Sequence, residues 1–467
     1  MQYAVRGSVV IAADQIASDL ETNPEKYPFK EIIFTNIGNP HQVGQKCLTW
    51  PRQVLALCDL PAEVGVDHPS IGQLFPKDAI ARAKEIKDAL GVAGTGAYSH
   101  SKGHIHFRKD VARFIEERDG GVVCDPECLF LTNGASSGIN MVLTALIADE
   151  NSGVMIPIPQ YPIYSATIDI LNGKKVGYFL DEKKGWDLNI EELERSLAEA
   201  KEKGINVNSF VLINPGNPTG QVLSEKAVQD IVTFCSKHNL VLLADEVYQE
   251  NVYKGEFVSC KKAAHDLGLI DENKIELVSF HSCSKGLFGE CGRRGGYMEL
   301  VGFEPEVIEE IYKLASSGLC AGLAGQIMLS LMVRGPQPGD ESYESHQKER
   351  NDIYDSLKRR SKTVSDGLDA ISGFSCEPTQ GAMYCFPSVQ MPPKAIQEAE
   401  EKGISPDTLY ALSLLEYSGI CVVPASGFGQ EEGRYGFRTT FLPSEDKIAN
   451  AVELFRKHHE SFCEKYN

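Results

Sequence analysis

His281-Ser282-Cys283-Ser284-Lys285-Gly286, continued by Arg293-Arg294-Gly295-Gly296-Tyr297, is the stretch on which the reading of this chain turns. It directly follows a β-like run, Ile275-Glu276-Leu277-Val278-Ser279-Phe280. A lysine at the mouth of a strand, between small hydroxyl residues and glycine, can leave the backbone and condense with an aldehyde, provided its amine is reachable and can shed its proton. Taken alone, the hexapeptide reads equally well as an ordinary loop lysine beside a strand. Its neighbours along the chain decide between the two.

On its N-terminal side, from about 128 to 300, strands alternate with helices. Apolar runs predict strands at 129–132, 153–158, 175–180, 209–213, 241–244 and 276–280, with helices between them, such as 224–238 with Ser224 as its cap. This alternation predicts an α/β fold with a mostly parallel sheet covered on both faces. Ligands of such sheets sit beyond the carboxyl ends of the strands. Further back, helical periodicity covers 4–21, and a strand at 31–34 ends in Asn36-Ile37-Gly38-Asn39-Pro40, a turn in which glycine lets backbone approach a ligand closely. Helices at 78–90 and 106–117 flank a glycine-rich loop, 91–103. On the C-terminal side come two helices within 305–334, a Pro/Gly loop at 335–339 and a long charged helix over 341–371. The remainder reads α+β, with strands near 374–377, 382–386, 420–423 and 436–441 and helices at 393–402, 406–417 and 444–463. The expected division is an arm and part of a small domain in 1–60, a large domain in 61–340 and a small domain in 341–467.

The 467 residues are enough for two domains. There are 46 basic and 65 acidic residues, a net charge of −19, which argues against nucleic acid or an anionic membrane as partner. Small anionic substrates must then be drawn in by local arginines. The 13 cysteines have no repeat spacing and predict reduced, mostly buried thiols of an intracellular protein. Cys124 and Cys128 could be half a zinc site, but no second close pair completes it. His100, His104 and His106 have no carboxylate or cysteine clustered with them, so no metal is predicted. No apolar run approaches the length of a membrane span. Met1 to Leu20 matches neither a signal nor a transit peptide, so a cytoplasmic location is expected, with a mitochondrial one left open.

Other strand ends carry the polar groups that a phosphorylated aldehyde would need. Leu131-Thr132-Asn133-Gly134-Ala135-Ser136-Ser137-Gly138 runs from strand into helix, where free N–H groups and hydroxyls suit a phosphate. Ordinary helix capping explains it as well. Asn214-Pro215-Gly216-Asn217-Pro218-Thr219-Gly220 is a rigid turn from which the Asn217 amide could donate to a ring hydroxyl. Leu242-Leu243-Ala244-Asp245-Glu246-Val247-Tyr248 puts an acid at the end of an apolar strand, a costly place for an unpaired carboxylate. A protonated pyridine nitrogen would pair with it and turn the ring into an electron sink; a helix cap or metal ligand is the alternative. Tyr248 could reach the same ring oxygen as Asn217. Arg438, within Arg434-Tyr435-Gly436-Phe437-Arg438-Thr439-Thr440, needs an anion: a substrate α-carboxylate or a structural acid.

The order of these strings, Gly-Ala-Ser, Asn-Pro-Gly-Asn-Pro-Thr-Gly, Asp-Glu-Val-Tyr, Ser-x-Ser-Lys-Gly, Arg-Gly-Gly-Tyr and Phe-Arg-Thr-Thr, resembles the class I/II pyridoxal-phosphate-dependent aminotransferases of fold-type I through nearly the whole chain. Tyr3-Ala4-Val5-Arg6-Gly7, Asn36 to His41, Phe280-His281-Ser282, Gly289-Glu290-Cys291-Gly292 and Gly381-Ala382-Met383-Tyr384 are similar to strings of its alanine aminotransferase subfamily. The resemblance implies a large domain with a mostly parallel seven-stranded sheet between helices, and a smaller α+β domain built from the N- and C-terminal segments. It implies pyridoxal 5'-phosphate as cofactor, with Lys285 holding it covalently and shuttling the proton. Asp245 would pair with the ring nitrogen, and Asn217 and Tyr248 would hold the ring oxygen. The Ala135 backbone, Ser136, Ser282 and Arg294 would hold the phosphate, and Tyr161 would stack on the ring. Tyr98 would reach the phosphate of a second subunit in a homodimer. Arg438 and the Gly38 backbone would take the substrate carboxylate. The implied reaction turns L-alanine and 2-oxoglutarate into pyruvate and L-glutamate. Glutamate:glyoxylate transamination, a lyase on the same fold and a cofactor-binding regulatory module are the alternatives. Ser137, Leu319-Cys320-Ala321-Gly322-Leu323, Cys385 and His104 depart from the subfamily's usual residues.

Overall fold

The computed structural model describes residues 7–467. Seven strands form the central sheet, in the spatial order Leu129–Thr132, Gly296–Val301, Leu277–Ser282, Val241–Asp245, Asn206–Ile213, Ser152–Ile158 and Lys174–Phe179. Six of them are the strands expected from apolar runs. The seventh, Gly296–Val301, is missing from that expectation because its glycine and tyrosine read as part of a motif. It pairs antiparallel with both neighbours, so it alone runs against the rest. The expected α/β fold with a mostly parallel sheet is observed.

Alternation along these strands sorts side chains to two faces. Val241 and Leu243 join Val211, Ile213, Val278 and Phe280 under the helices Ala135–Leu146 and Pro162–Ile170. Leu242 and Ala244 join Phe210, Leu212 and Leu277 under Ile190–Glu202, Glu225–His238 and Cys260–Asp266. Asp245 continues the first set. Ser224 caps Glu225–His238 through the Ala227 N–H, as expected.

The chain ends share a second core. Val9, Val10, Ala13, Ile16 and Leu20 pack with Leu357, Val364, Leu414, Phe437 and Phe455. The N-terminal helix spans Ser8–Thr22; the start expected at residue 4 and the string Tyr3 to Arg6 lie outside the described residues. The strand expected at 31–34 is reduced to Ile33–Phe34, because its one strand partner among the described residues is the two-residue Ile420–Cys421, parallel to it. Phe437–Thr440 lies between Tyr384–Cys385 and Val423–Pro424. The helix Thr49–Asp59 and the strand Ser388–Val389 had no sequence expectation. The glycine-rich loop opens with a 3-10 turn, Gly91–Gly96. Among the described residues no helix is long and apolar enough to cross a membrane.

Candidate active site

Beyond the carboxyl ends of the central strands lies a cavity of about 330 Å³. Gly38, Ala135, Ser136, Tyr161, Asn217, Asp245, Tyr248, Ser282, Lys285, Arg294 and Arg438 all line it, together with Ile37, Asn39, Ile139, Val247, Ser284, Cys291 and Tyr384. Of the residues expected at the site, Tyr98 alone does not line it; it stands out into solvent, 79% exposed.

One end is built for an anion. Ala135 and Ser136 open the helix Ala135–Leu146, whose first N–H groups lack intrahelical acceptors. Gly134 precedes it with φ +80°, and a Cβ there would stand 2.5 Å from an Arg294 guanidinium nitrogen. Arg294 is itself in the left-handed region, φ 59°, and is anchored by donating to the carbonyls of Cys291 at 2.8 Å and Asn133 at 3.0 Å. Ser282 adds a hydroxyl from the last residue of its strand.

In the middle, Asp245 is fully buried. Tyr164 donates to its Oδ2 at 3.0 Å, and the Val247 N–H is 3.5 Å from Oδ1. Burial lifts the Asp245 carboxyl to about 6 against the pull of Tyr164, Val247 and Lys285. A buried carboxylate of this kind is eased by a cationic partner. Neither a metal nor a helix cap supplies one: among the described residues no group of three or more His, Cys, Asp or Glu could hold a metal ion, and no helix begins at Asp245.

Opposite lies Lys285, whose Nζ donates to the Gly38 carbonyl at 2.6 Å. A Cβ on Gly38 would come within 2.8 Å of that Nζ and 2.5 Å of the Tyr384 hydroxyl, so any side chain there would displace the lysine amine and the Tyr384 phenol. Arg438, 1% exposed, donates to Asn217 Oδ1 at 3.0 Å and to the Asn36 carbonyl at 2.5 Å. Its guanidinium lies 4.2 Å from the Tyr384 ring centre and 4.8 Å from that of Phe428, and its Nε has no hydrogen-bond partner. Among the described residues no carboxylate pairs with it, so the structural-acid alternative falls away. A buried, partly unsatisfied guanidinium calls for an anion.

Two groups of the site had no role assigned from sequence. Tyr164 has no motif of its own; only its position one helical turn after Tyr161 hinted at it. Tyr384 stood in a quoted string without a function. The departing residues Ser137, Cys320 and Cys385 do not line the cavity. His104 accepts from the His106 N–H and caps the helix Ile105–Arg118, and His100 stacks on Tyr312 at 5.3 Å. Cys124 and Cys128 are free thiols.

This donor set fits a phosphorylated pyridine aldehyde: an anion cradle at one end, a buried acid lining the cavity, an amine, and a guanidinium with no acid paired to it among the described residues. The family model for aminotransferases of class I and II matches residues 70–455. A probable mitochondrial alanine aminotransferase of Dictyostelium discoideum is 50% identical over 472 aligned residues, covering 100% of this chain and 88% of its own. Glutamate–glyoxylate aminotransferase 1 of Arabidopsis thaliana is 47% identical over 468 residues, covering 100% of this chain and 95% of its own. The solved structure of alanine aminotransferase from Pyrococcus furiosus matches with a TM-score of 0.75 at 23% identity, covering 98% of both chains, a likeness of fold.

Proposed function

The chain belongs to the class I and II aminotransferases, and from that membership we propose that it passes the amino group of L-alanine to 2-oxoglutarate, giving pyruvate and L-glutamate. The reading is carried by one observation: Lys285, Asp245 and Arg438, far apart in sequence, line the same cavity. Bound pyridoxal 5'-phosphate supplies an aldehyde for the substrate amine and a ring that takes up the charge left at the α-carbon.

The protein's own groups do the rest. Ser136, Ser282, Arg294 and the Ala135 N–H hold the phosphate. Asp245, buried and short of a cation, keeps the ring nitrogen protonated. Asn217 and Tyr248 donate to the ring oxygen, and Tyr161 covers the ring face. Arg438 and the Gly38 backbone seize the substrate α-carboxylate, which turns the α-hydrogen toward Lys285. The Lys285 amine would take the proton from the substrate α-carbon and deliver it, from the same face, to the carbon that had been the cofactor's aldehyde, as base and then as acid. The same groups run the second half-reaction in reverse with the acceptor keto acid.

The 47% identity to a glutamate–glyoxylate aminotransferase over the whole chain supports a second reading, with glyoxylate as acceptor. Rapid-mixing spectroscopy of the cofactor-loaded protein with alanine, glutamate and glycine, followed by turnover with pyruvate, 2-oxoglutarate and glyoxylate, separates the two. Rapid bleaching of the visible band by alanine and fast return with 2-oxoglutarate support the first; preference for glyoxylate supports the second; no spectral response to any amino acid would sink both. The working unit on this reading is a homodimer in which Tyr98 completes the neighbouring site. The name of the Dictyostelium relative keeps a mitochondrial location beside the cytoplasmic one, and imaging of the tagged full-length protein distinguishes them.

A further inference from the structure

Tyr384 stands where three groups of the site meet. Its hydroxyl is 2.9 Å from the Tyr248 hydroxyl. Its ring lies 4.2 Å from the Arg438 guanidinium, close enough for a cation–π contact between two buried groups. A Cβ built on Gly38 would meet both its hydroxyl, at 2.5 Å, and Lys285 Nζ, at 2.8 Å, so phenol and amine crowd the same point of the strap. Tyr384 is 2% exposed and Tyr248 also 2%. In such a pair each hydroxyl has a single hydrogen to give. If Tyr248 donates its hydrogen to the ring oxygen of the cofactor, it can only accept from Tyr384.

We propose that Tyr384 is a positioning residue for this reaction: its hydroxyl donates to Tyr248, aiming the Tyr248 hydrogen into the cavity, while its ring face steadies Arg438 for the substrate carboxylate. The proposal rests on the reading of the cavity as a pyridoxal-phosphate site. Charge around the phenol favours the donating role. In the cofactor-free chain burial opposes its ionisation, but the nearby Lys285 and Arg438 cations hold it below its ordinary value, whereas burial keeps Tyr248 well above; the Arg438 charge persists when Lys285 carries the cofactor. The more acidic hydroxyl of a pair is the better donor. The two parts of the side chain thereby acquire separate tasks, the hydroxyl serving the ring oxygen and the ring face serving the carboxylate.

The two tasks separate by substitution. Tyr384→Phe keeps the ring and removes the hydroxyl. It is expected to lower kcat about tenfold while leaving the KM for alanine within about twofold. The visible absorbance of the cofactor-loaded protein, titrated with pH without substrate, is expected to shift its midpoint upward by about half a unit to one unit, because the deprotonated form loses an aimed donor. Tyr384→Leu removes the ring as well, and its KM for alanine is expected to rise about tenfold further. Since Tyr384 acts through Tyr248, the double variant Tyr248→Phe/Tyr384→Phe should match Tyr248→Phe alone in both midpoint and kcat. An unmoved midpoint in Tyr384→Phe, or fully additive losses in the double variant, would overturn the proposal, even if the variant melts at a lower temperature. Failure of the unsubstituted protein to take up the cofactor is a different result: it would overturn the functional reading and this inference with it.

Discussion

Asp245 and Glu246 are adjacent carboxylates, and the period of the strand sends them to opposite sides of the sheet. Asp245 faces the cavity and Tyr164. Glu246 accepts from the Cys260 N–H and lies 3.6 Å from Arg118, behind the sheet. Burial raises both, Asp245 to about 6 and Glu246 to about 7. For Asp245 the raised value means that the folded chain favours the protonated form. The resulting penalty is absent below the unfolded value of about 4, grows as pH rises through the interval up to about 6, and is constant above it. Cofactor-free Asp245→Asn should therefore be more stable than the unsubstituted protein at neutral pH by about 2–3 kcal/mol, the advantage vanishing in acid. The same substitution should cut turnover about a hundredfold or more, since the ring nitrogen loses its counter-charge. Calorimetry at acid and neutral pH tests the first half; equal melting of the two proteins at neutral pH would count against a desolvated carboxylate. Lys285→Ala is expected to lower turnover by about a hundredfold to ten-thousandfold, the range for losing a positioned acid and base. Arg438→Lys should lower kcat/KM for alanine and for glutamate alike, by about thirtyfold or more, because a lysine cannot make the two-pronged contact. A loss confined to one substrate would remove Arg438 from the shared carboxylate.

At the scale of elements, the site depends on two places where backbone comes closer than a side chain permits. One is the strap at Gly38. The other is the start of the helix Ala135–Leu146, where Gly134 has φ +80° and a Cβ would touch Arg294. Gly134→Ala meets both a strained backbone and a displaced guanidinium, so it should weaken retention of pyridoxal phosphate about tenfold or more in equilibrium dialysis. Unchanged retention would mean that this helix end is not the phosphate cradle. The central parallel strands, such as Val241–Asp245, were legible because buried parallel strands read as apolar runs, and the edge strand Lys174–Phe179 because its C-terminal half does. Gly296–Val301 was not, since an antiparallel strand that begins with glycine carries no such run. The strand Ser388–Val389, two residues long, is too short for any periodicity, and for the same reason the strand at Ile33–Phe34 was read two residues too long.

At the scale of the whole molecule, a net charge of −19 surrounds a site that must gather carboxylates. Local guanidinium groups therefore do the attracting, within the reach that salt screening leaves them. The proposed dimer makes a prediction of its own. If Tyr98 completes the site of the neighbouring subunit, Lys285→Ala and Tyr98→Ala chains, each impaired alone, should on co-refolding form hybrids with one intact site and recover about a quarter of the unsubstituted activity. No recovery, with hybrids present by mass measurement, would place Tyr98 outside any shared site.

The likeness of its strings to a known family supplied that family and the candidate set Lys285, Asp245, Asn217, Tyr248, Arg294 and Arg438; what the sequence determined by itself was which residue types stand at strand ends, in what order, and hence the α/β class. These are local properties, written in composition and spacing. What only the tertiary structure decided was convergence. Tyr164 became the partner of Asp245, Tyr384 the link between Tyr248 and Arg438, and Gly38 the neighbour of Lys285, because folding brings together residues as far as 81, 136 and 247 positions apart. Such contacts depend on strand parity and on the packing of the chain ends into one core, which no single stretch of sequence encodes.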